Sequence, residues 1–217
     1  MDSPALVLDF GGPVLLTPFE LAADQPGTPA FELLRERGPL APRDSPDSGW
    51  EAVQDGQVTE RDYWSGVAKI WHQTGGAGPD VRSFMDHLFQ PPRPGLIRDQ
   101  ARALIADARA AGRLVAILTN DMRAFHSPEW IDEIEIVDDV DVVVDGSIEG
   151  VLKPDPRLYE VVAERLEMSL AQMVFLDDQM VNIHGAARLG MDTVWFDVAE
   201  PDMCYEQVRK RLALQGG

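Results

Sequence analysis

The chain has 217 residues, 45% of them hydrophobic, which is typical of one large globular domain or of a domain with an insertion. Its formal net charge of −18 and pI of about 4.4 disfavour nucleic acids and anionic membrane surfaces as partners, because both would be repelled. A single cysteine, Cys204, excludes an intramolecular disulfide framework and a cysteine-based metal site.

Neither a basic N-terminal region nor an uninterrupted apolar run of about 18 residues occurs in the sequence. We therefore expect a cytoplasmic protein without a signal peptide, a transmembrane helix or a membrane partner. No internal repeat is found, so a solenoid is not expected. The sequence predicts no particular oligomeric state.

The first predicted element is a strand at residues 6–8, where aliphatic residues form a run typical of a strand that is buried on both faces. The strand ends at Asp9, and Gly11 and Gly12 follow closely. Glycine allows a tight turn or a close approach of the backbone to a ligand. This stretch by itself fits a functional carboxylate at a strand end and an ordinary Asp-Gly-Gly turn equally well.

A polar, helical pattern covers the next part of the chain. Residues 30–37 and 61–71 have apolar positions at helical spacing, and Thr59 is a candidate N-cap of the second helix. Residues 38–49 are rich in proline, serine and aspartate, which predicts a loop. The sequence Pro-Pro-Arg-Pro-Gly at residues 91–95 predicts a hinge.

Helices and strands alternate beyond the hinge. This alternation predicts a parallel sheet with helices on both faces, which the first strand joins across the helical insertion. The predicted fold class is therefore α/β, a Rossmann-like parallel sheet flanked by helices with a helical cap inserted after the first strand. We expect a core of residues 1–15 and 96–217 and a cap of residues 16–95. The predicted strands are residues 114–118, 140–144, 173–176 and 193–196, and the predicted helices are residues 97–111, 156–166, 181–189 and 205–214.

Polar side chains follow several of these strands. In open parallel sheets, ligands bind beyond the carboxyl ends of the strands. Lys153 lies in the sequence Leu-Lys-Pro-Asp-Pro, just before a predicted helix. Three carboxylates, a hydroxyl, an amide and one ammonium group are thus expected at one edge of the sheet. The residues at the strand ends are Asp9 after the first strand, Thr119 and Asn120 after the second, and Asp177 and Asp178 after the fourth.

These four motifs, in this order, resemble those of the haloacid dehalogenase-like (HAD) superfamily of aspartate-nucleophile hydrolases. The resemblance covers nearly the whole chain, and the insertion falls where that family has its type 1 helical cap. Within the superfamily the chain looks most like the phosphatase branch that includes the N-terminal domain of soluble epoxide hydrolase and sugar-phosphate phosphatases. The resemblance implies a hydrolase in which Asp9 is the nucleophile.

A metal ion fits this chemistry. A carboxylate can attack a phosphoryl group only if a cation reduces the repulsion between the two anions. We expect Asp9 and Asp178 to bind Mg²⁺, with the Gly11 carbonyl oxygen as a third ligand and Asp177 beside them or as an additional ligand. By itself, an Asp-Asp pair after a strand fits a helix N-cap equally well.

The remaining motif residues are expected to contact the substrate. Thr119 and Asn120 would donate hydrogen bonds to the phosphoryl group, and Lys153 would stabilise charge on this group and on the nucleophile. Taken alone, the first two also fit a strand-to-loop cap, and the lysine fits a solvated surface residue. Asn182, about one helical turn beyond Asp178, would support the acidic pair and the bound substrate, or lie on the helix surface.

Two positions depart from the family pattern. Most phosphatases of this superfamily carry a second aspartate two residues after the nucleophile, where it acts as general acid and base, and Gly11 stands there in this chain. Pro13 replaces a usual threonine or valine and removes a backbone N–H. Without that aspartate we expect slow turnover, a good leaving group, or a proton donor from the cap. The candidate donors are Thr17, Asp24, Glu51 and Asp55.

The sequence thus predicts a Mg²⁺-dependent phosphatase that hydrolyses a small phosphorylated metabolite through a phospho-Asp9 intermediate. A metal-independent 2-haloacid dehalogenase would use the same nucleophile. It is disfavoured because the Asp177-Asp178 pair is intact and because Gly11 replaces the aromatic residue that dehalogenases usually carry. A third reading, motivated by Gly11 and Pro13, is a non-catalytic regulatory module that binds a phosphate-bearing ligand.

Overall fold

A five-stranded parallel sheet forms the centre of the molecule in the computed structural model, which describes residues 4–214. Its strands are β1 (Ala5–Leu8), β2 (Val115–Thr119), β3 (Val142–Asp145), β4 (Met173–Asp177) and β5 (Asp192–Trp195). Their order across the sheet is β3-β2-β1-β4-β5, and every neighbouring pair is parallel. The predicted α/β fold class is confirmed, and so is each predicted strand to within two residues.

The strand register brings the predicted motif residues together. Leu8 at the end of β1 lies beside Ile117 of β2 and Leu176 of β4. Because all three strands run in the same direction, their carboxyl ends share one edge of the sheet. The segment after β1 therefore emerges between the ends of β2 and β4.

Alternate residues of a strand point to opposite faces of the sheet, and both faces are covered here. Leu6 and Leu8 belong to one hydrophobic cluster, and Ala5 and Val7 belong to a second. Every residue of β1, β2 and β4 is buried. Burial on both faces explains why these strands are continuous apolar runs rather than alternating ones.

Twelve α-helices surround the sheet within residues 4–214. Short 3₁₀ turns lie at Gly38–Leu40, Ile136–Asp139 and Leu170–Gln172. The helices are α1 (Pro18–Ala23), α2 (Pro29–Leu34), α3 (Ser48–Gln54), α4 (Glu60–Gln73), α5 (Val81–Phe89), α6 (Asp99–Ala110), α7 (Met122–Phe125), α8 (Pro128–Glu133), α9 (Gly146–Glu149), α10 (Pro156–Leu166), α11 (Met180–Arg188) and α12 (Pro201–Arg211).

Helices α1 to α5 occupy the predicted cap. Three of their aromatic side chains, Phe19, Trp50 and Trp64, belong to the same hydrophobic cluster as Leu6 and Leu8 of the central strand. The ring centroid of Phe19 lies 5.2 Å from that of Trp50 and 4.9 Å from that of Trp64. Because the helical insertion shares this apolar core with the sheet, the division into a cap domain and a core domain stays a proposal.

The helix boundaries follow the local sequence signals. Thr59 is the N-cap of α4, as predicted, and its side chain accepts a hydrogen bond from the Asp62 N–H. The predicted loop at residues 38–49 contains a 3₁₀ turn, and α3 begins within it at Ser48. Helix α12 begins at Pro201, earlier than predicted, because proline fits the first turn of a helix. No helix within residues 4–214 is both long enough and apolar enough to cross a membrane.

Candidate active site

Asp9 lies at the carboxyl end of β1 and is almost completely buried, with 6% of its surface exposed. Its backbone N–H donates to the Leu176 carbonyl (2.8 Å), which fixes the main chain against β4. Its Oδ1 accepts a hydrogen bond from the Phe10 N–H (2.7 Å) and lies 2.9 Å from Lys153 Nζ. The Oδ2 atom accepts no hydrogen bond from any described residue. One carboxylate oxygen of Asp9 is therefore held in place while the other is available for a ligand.

Lys153 is buried at the centre of this site. Its ammonium group donates to the Leu118 carbonyl (2.8 Å) and to Asp177 Oδ2 (2.7 Å), in addition to its contact with Asp9. An ammonium group has three N–H donors, so all three are used. The ammonium group of Lys153 thus pairs with both the Asp9 and the Asp177 carboxylates. These two ion pairs explain why the lysine side chain can be only 1% exposed.

Asn120 positions this lysine. Its Oδ1 accepts a hydrogen bond from the Lys153 N–H (2.7 Å), and its Nδ2 donates to the Lys153 carbonyl (3.2 Å). The sequence predicted that Asn120, like Thr119, donates a hydrogen bond to the phosphoryl group of the substrate. In the structure both polar atoms of its amide are bound to the Lys153 backbone, so a contact with substrate is left to the Asn120 main chain.

The two carboxylates after β4 have different surroundings. Asp177 is fully buried, and its Oδ1 accepts hydrogen bonds from the Gln179 N–H (2.8 Å) and Asn182 Nδ2 (3.1 Å). Its Oδ2 is bound to Lys153. The Asp178 carboxylate makes no hydrogen bond or ion pair to any residue between 4 and 214. Asp178 is thus open to a ligand, whereas Asp177 mainly holds the lysine and the start of α11.

Asn182 is buried in α11, so its predicted place near the acidic pair agrees with the structure. Its Nδ2 lies within hydrogen-bond distance of both Asp177 oxygens, at 3.1 and 3.2 Å. Its Oδ1 is buried and has no hydrogen-bond partner among the described residues. A buried acceptor of this kind beside a carboxylate cluster indicates that a donor, such as a bound water or a ligand, belongs there.

The acidic cluster meets the chemical requirements of a hard cation. Asp9, Asp177 and Asp178 offer carboxylate oxygens that all lie within 4.8 Å of one another. Mg²⁺ binds through one or two carboxylates and keeps several waters. Asp9 and Asp178, which have oxygens free of other partners, are the carboxylates that fit this role. Gly11, whose carbonyl oxygen was the third predicted ligand, lines the same cavity.

The electrostatics of the cluster also favour a cation. The pKa of Asp9 is raised to about 8. Burial is the main cause, the charge of Asp177 adds to the rise, and Lys153 opposes it. Burial and the neighbouring charges of Asp177 and Asp9 raise the pKa of Asp178 well above its usual range. One lysine faces three carboxylates, so the site has a deficit of positive charge that a divalent ion would remove.

Gly12 lets the loop after β1 approach Asp178. It has a φ of 82°, in the left-handed region, and a Cβ at this position would lie 2.9 Å from Asp178 Cγ. Arg98 fixes the same loop, because its Nε donates to the Gly12 carbonyl (2.6 Å). The second glycine of the Asp-Phe-Gly-Gly motif is therefore required by both the backbone conformation and the packing.

The edge of the sheet at the carboxyl ends of its strands, with Asp9, Thr119, Lys153 and Asp178, is called the rim below. A cavity lies between this rim and the helical insertion. It offers about 60 Å³ to the centres of water-sized molecules, room for several waters or one phosphate group. Thr119, Asn120, Asn182 and Asp178 line it, and the Thr119 hydroxyl makes no hydrogen bond to any described residue. The apolar part of the wall consists mainly of Leu15, Leu16, Phe19, Trp64, Met85, Phe89 and Phe125.

His126, which follows the second motif, belongs to the apolar wall. Its ring stacks on Trp130 with centroids 4.1 Å apart and meets the edge of Phe89. Burial, together with the charge of Arg82, lowers the pKa of His126 to about 3. The imidazole is therefore neutral, and it is not available as a cationic binding group at ordinary pH.

The sequence interpretation missed the acidic residue of the helical insertion that lines the cavity. Of the four predicted donors, only Thr17 lines this cavity, and its hydroxyl donates to Glu20 Oε2 (2.8 Å) within a capping box. Glu60, the first residue of α4, lines it instead. The Thr59 N-cap marks where α4 begins, but no local pattern in the sequence places Glu60 beside the cavity.

The fold is of the Rossmann-like α/β class, and its carboxylate cluster lies between the sheet and the helices inserted after the first strand. A family model for haloacid dehalogenase-like hydrolases matches residues 53–190. The chain belongs to this family, which confirms the resemblance recognised from the motifs.

Several proteins are similar to this chain. Phosphatase MT3486 from Mycobacterium tuberculosis is 35% identical over 42% of this chain and 42% of its own length. Sesquiterpene phosphatase astK from Aspergillus oryzae is 26% identical over 65% of this chain and 69% of its own length. Mouse acyl-CoA dehydrogenase family member 10 is 29% identical over 71% of this chain, but the match spans only 14% of that protein. The chain thus covers less than half of two of these relatives.

The fold is shared with solved structures. HAD-hydrolase YfnB from Bacillus subtilis, crystallised with magnesium, superposes with a TM-score of 0.70 at 16% identity and covers 99% of this chain and 100% of its own. Further relatives include a phosphoserine phosphatase from Thermus thermophilus and a 2-haloacid dehalogenase from Pseudomonas. Both phosphatases and dehalogenases therefore occur among the similar proteins.

Proposed function

We propose that the protein is a Mg²⁺-dependent phosphatase that hydrolyses a small phosphate monoester through a phospho-Asp9 intermediate. The observation that carries the proposal is that the carboxylates of the site differ in their protein partners. Asp9 has one oxygen anchored by Lys153 and one without a protein partner, and the neighbouring Asp178 carboxylate has no protein partner among residues 4–214. This is what a nucleophile that shares a cation with its neighbour requires.

Each residue of the rim would have its own role in the reaction. Mg²⁺, when bound by Asp9 and Asp178, supplies positive charge that offsets the repulsion between substrate and nucleophile. Asp9 attacks phosphorus, a P–O bond forms, and the bond to the leaving alcohol breaks. Lys153 holds Asp9 and neutralises part of its charge. Thr119, with an unpartnered hydroxyl, and the Asn120 backbone would orient the phosphoryl oxygens. Water then cleaves the phospho-enzyme.

The charges of the cavity favour a phosphatase over a 2-haloacid dehalogenase. Four acidic residues line it, namely Asp9, Glu60, Asp121 and Asp178, and no lysine or arginine belongs to its described lining. A 2-haloacid carries a carboxylate that needs a cationic partner, and all three donors of Lys153 are already used. A phosphate ester avoids this problem because its cation is bound together with it.

The wall of the cavity suggests the kind of alcohol that is released. Its apolar side chains, such as Leu16, Phe89 and Phe125, offer no hydrogen bonds or charges to a sugar or a second anion. We therefore propose a phosphate ester of an uncharged, largely apolar alcohol. A relative named for its action on a sesquiterpene phosphate supports this choice. An alcohol of that size would require the helices of residues 16–95 to move away from the rim.

The test measures phosphate release from a panel of aryl, alkyl, terpenyl and sugar phosphates, with Mg²⁺ and with EDTA. We expect Mg²⁺-dependent release that favours apolar alcohols and falls to background in Asp9→Asn. In Asp178→Asn the Mg²⁺ concentration needed for activity should rise. Chloride release from 2-chloropropionate in EDTA, without phosphate release from any ester, would establish the dehalogenase instead. Ester binding by calorimetry without any turnover would establish a binding module.

A further inference from the structure

Within residues 4–214, neither the residues that follow Asp9 nor Lys153 and Asp177 can give a proton to the leaving alcohol. Phe10, Gly11 and Gly12, which follow Asp9, have no ionisable side chain. The ammonium group of Lys153 already donates to three acceptors. Asp177 is fully buried and accepts hydrogen bonds from its own neighbours. If the proposed phosphatase reaction occurs, the proton must come from the other side of the cavity.

Glu60 lies on that side. It is the first residue of α4, just after the Thr59 N-cap, and it lines the same cavity as Asp9 and Asp178. One carboxylate oxygen accepts a hydrogen bond from Trp64 Nε1 (2.9 Å), and the other accepts one from Gln179 Nε2. Because Gln179 directly follows Asp178, this second contact ties the Glu60 carboxylate to the end of β4.

Glu60 differs from the other acidic residue that lines the upper part of the cavity. Asp121 is bound by the guanidinium group of Arg61, with Nε 3.1 Å from its Oδ1. Burial raises the pKa of Asp121 and the Arg61 guanidinium opposes that rise, so protonation of the Asp121 carboxyl would break this ion pair. Glu60 has two neutral N–H groups as partners and no ion pair to any described residue. Of these two acids, Glu60 is thus the one that can exchange a proton without breaking a salt bridge.

The surroundings of Glu60 also favour the protonated form. Burial raises its pKa, the charge of Asp121 raises it further, and the hydrogen bonds from Trp64 and Gln179 and the charge of Lys153 oppose the shift. The negative charge of Glu60 in turn contributes to the raised pKa values of Asp9 and Asp178. A bound cation would change the balance between the protonated and ionised forms of Glu60. The position of Glu60 and its two hydrogen-bond partners do not depend on that balance.

We infer that Glu60 is the general acid and base of this enzyme, supplied by the cap in place of the aspartate that Gly11 replaces. The inference rests on the proposed phosphatase function. As Asp9 attacks phosphorus and the P–O bond to the alcohol breaks, the Glu60 carboxyl transfers its proton to the departing oxygen. A water molecule then attacks the phosphorus of phospho-Asp9 and gives its proton to the Glu60 carboxylate. Phosphate leaves, and both carboxyl groups return to their initial states.

The test compares Glu60→Gln with wild type on esters of different leaving groups. 4-Nitrophenyl phosphate releases its phenol without a proton donor, whereas phenyl and hexyl phosphate do not. With phenyl or hexyl phosphate, Glu60→Gln should lower kcat/KM by ~10²–10⁴-fold. With 4-nitrophenyl phosphate it should release one equivalent of nitrophenol per active site in a burst, followed by slow turnover, because cleavage of phospho-Asp9 lacks its base.

Glu32→Gln is the matched control, since Glu32 is an exposed acid in the first turn of α2 and was not among the predicted proton donors. It should behave as wild type. The burst amplitude counts folded, competent sites, so a misfolded variant is recognised at once. If Glu60→Gln yields no competent sites, Glu60→Ala with added formate gives the same information, because formate should restore turnover.

The two proposals fail in different ways. If wild type releases no phosphate from any ester, the phosphatase function is overturned. If wild type is active and Asp9→Asn is not, but Glu60→Gln shows no burst and retains wild-type rates on phenyl phosphate, only the role of Glu60 is overturned. An unchanged pH dependence of kcat/KM in Glu60→Gln would count against it in the same way.

Discussion

Lys153 is the residue on which the charge balance of the site depends. It contacts Asp9 at 2.9 Å and Asp177 at 2.7 Å, and it is buried with them. Opposite charges at this distance favour the ionised lysine strongly enough to raise its pKa, even though burial alone would lower it. The lysine therefore keeps Asp9 partly compensated before any cation binds, which allows three carboxylates to share one buried edge.

Gly12 lies so close to Asp178 that adding one methyl group should displace the Asp178 carboxylate. Gly12→Ala places a Cβ 2.9 Å from Asp178 Cγ at a φ of 82°, whereas Gly112→Ala meets no atom within 4 Å at a φ of 69°. In both variants the free energy of unfolding should fall by about 1–2 kcal/mol, because alanine is strained in the left-handed conformation. Gly12→Ala should lose more stability and should also bind Mg²⁺ more weakly, because Asp178 must move.

Urea unfolding measures the stability of both glycine variants, and calorimetry measures their Mg²⁺ affinity. Gly112→Ala controls for backbone strain without displacing the carboxylate. Equal stability and equal Mg²⁺ affinity in the two variants would show that Asp178 is not constrained by the loop.

The sequence was sufficient to predict the residues of the rim but not those of the cap. Asp9, Thr119 and Asp178 follow parallel strands, and the common direction of such strands brings their ends together whatever the details of packing. Glu60 approaches Gln179 across 119 positions of sequence, through a contact between α4 and the start of α11. No local pattern specifies that contact. The binding of the Asn120 amide to the Lys153 backbone is equally non-local, so the sequence did not predict it.

At the level of elements, two chain segments connect the helical insertion to the sheet, and they are paired with each other. The Leu16 N–H donates to the Leu96 carbonyl (2.9 Å), and the Arg98 N–H donates to the Val14 carbonyl (2.9 Å). The hinge predicted at residues 91–95 thus continues into a short antiparallel ladder. Any motion of α1 to α5 would have to bend both segments together.

Arg98 joins this ladder to α1 and to the loop after β1. Its side chain is 6% exposed, and its Nη2 lies 2.8 and 2.7 Å from the two Glu20 carboxylate oxygens. Its Nε binds the Gly12 carbonyl. Arg98→Met removes the cation and leaves Glu20 without its charged partner, which should cost about 3 kcal/mol of unfolding free energy.

Lys210→Met is the matched control for Arg98→Met, because Lys210 forms an exposed pair with Glu206 on α12. Removing an exposed pair should change the unfolding free energy by about 0.5 kcal/mol or less. Urea denaturation of both variants gives the comparison. A loss in Arg98→Met no larger than in Lys210→Met would mean that Arg98 does not hold the linker segments to the core.

For the molecule as a whole, the formal net charge of −18 and the buried acidic cluster act in the same direction. Self-repulsion weakens the compact state of a chain this acidic, and the cluster adds three carboxyl groups, two of which, Asp9 and Asp178, have a pKa raised by burial. A divalent cation at the rim relieves both effects. Its binding should therefore be visible as stability of the entire fold, independently of any assay of activity.

The dependence of this stability on pH follows from the pKa shifts. Carboxyl groups of an unfolded chain titrate near about 4. Burial raises the pKa of Asp9 to about 8 and also raises that of Asp178, so between these limits the folded state holds protons that the unfolded state has lost. The metal-free protein should therefore lose stability as the pH rises through this window.

Mg²⁺ requires the ionised carboxylates, so it should bind more tightly as the pH rises. We expect Mg²⁺ to raise Tm more at about pH 8 than at about pH 6. At a hundred times its Kd, the ion should add about 2.7 kcal/mol, which corresponds to roughly 5–10 °C in a chain of this size. Asp178→Asn should reduce the shift at both pH values. Calorimetric scans of both proteins decide the matter, since equal shifts at the two pH values would mean that the cation does not compete with protons for Asp9 and Asp178.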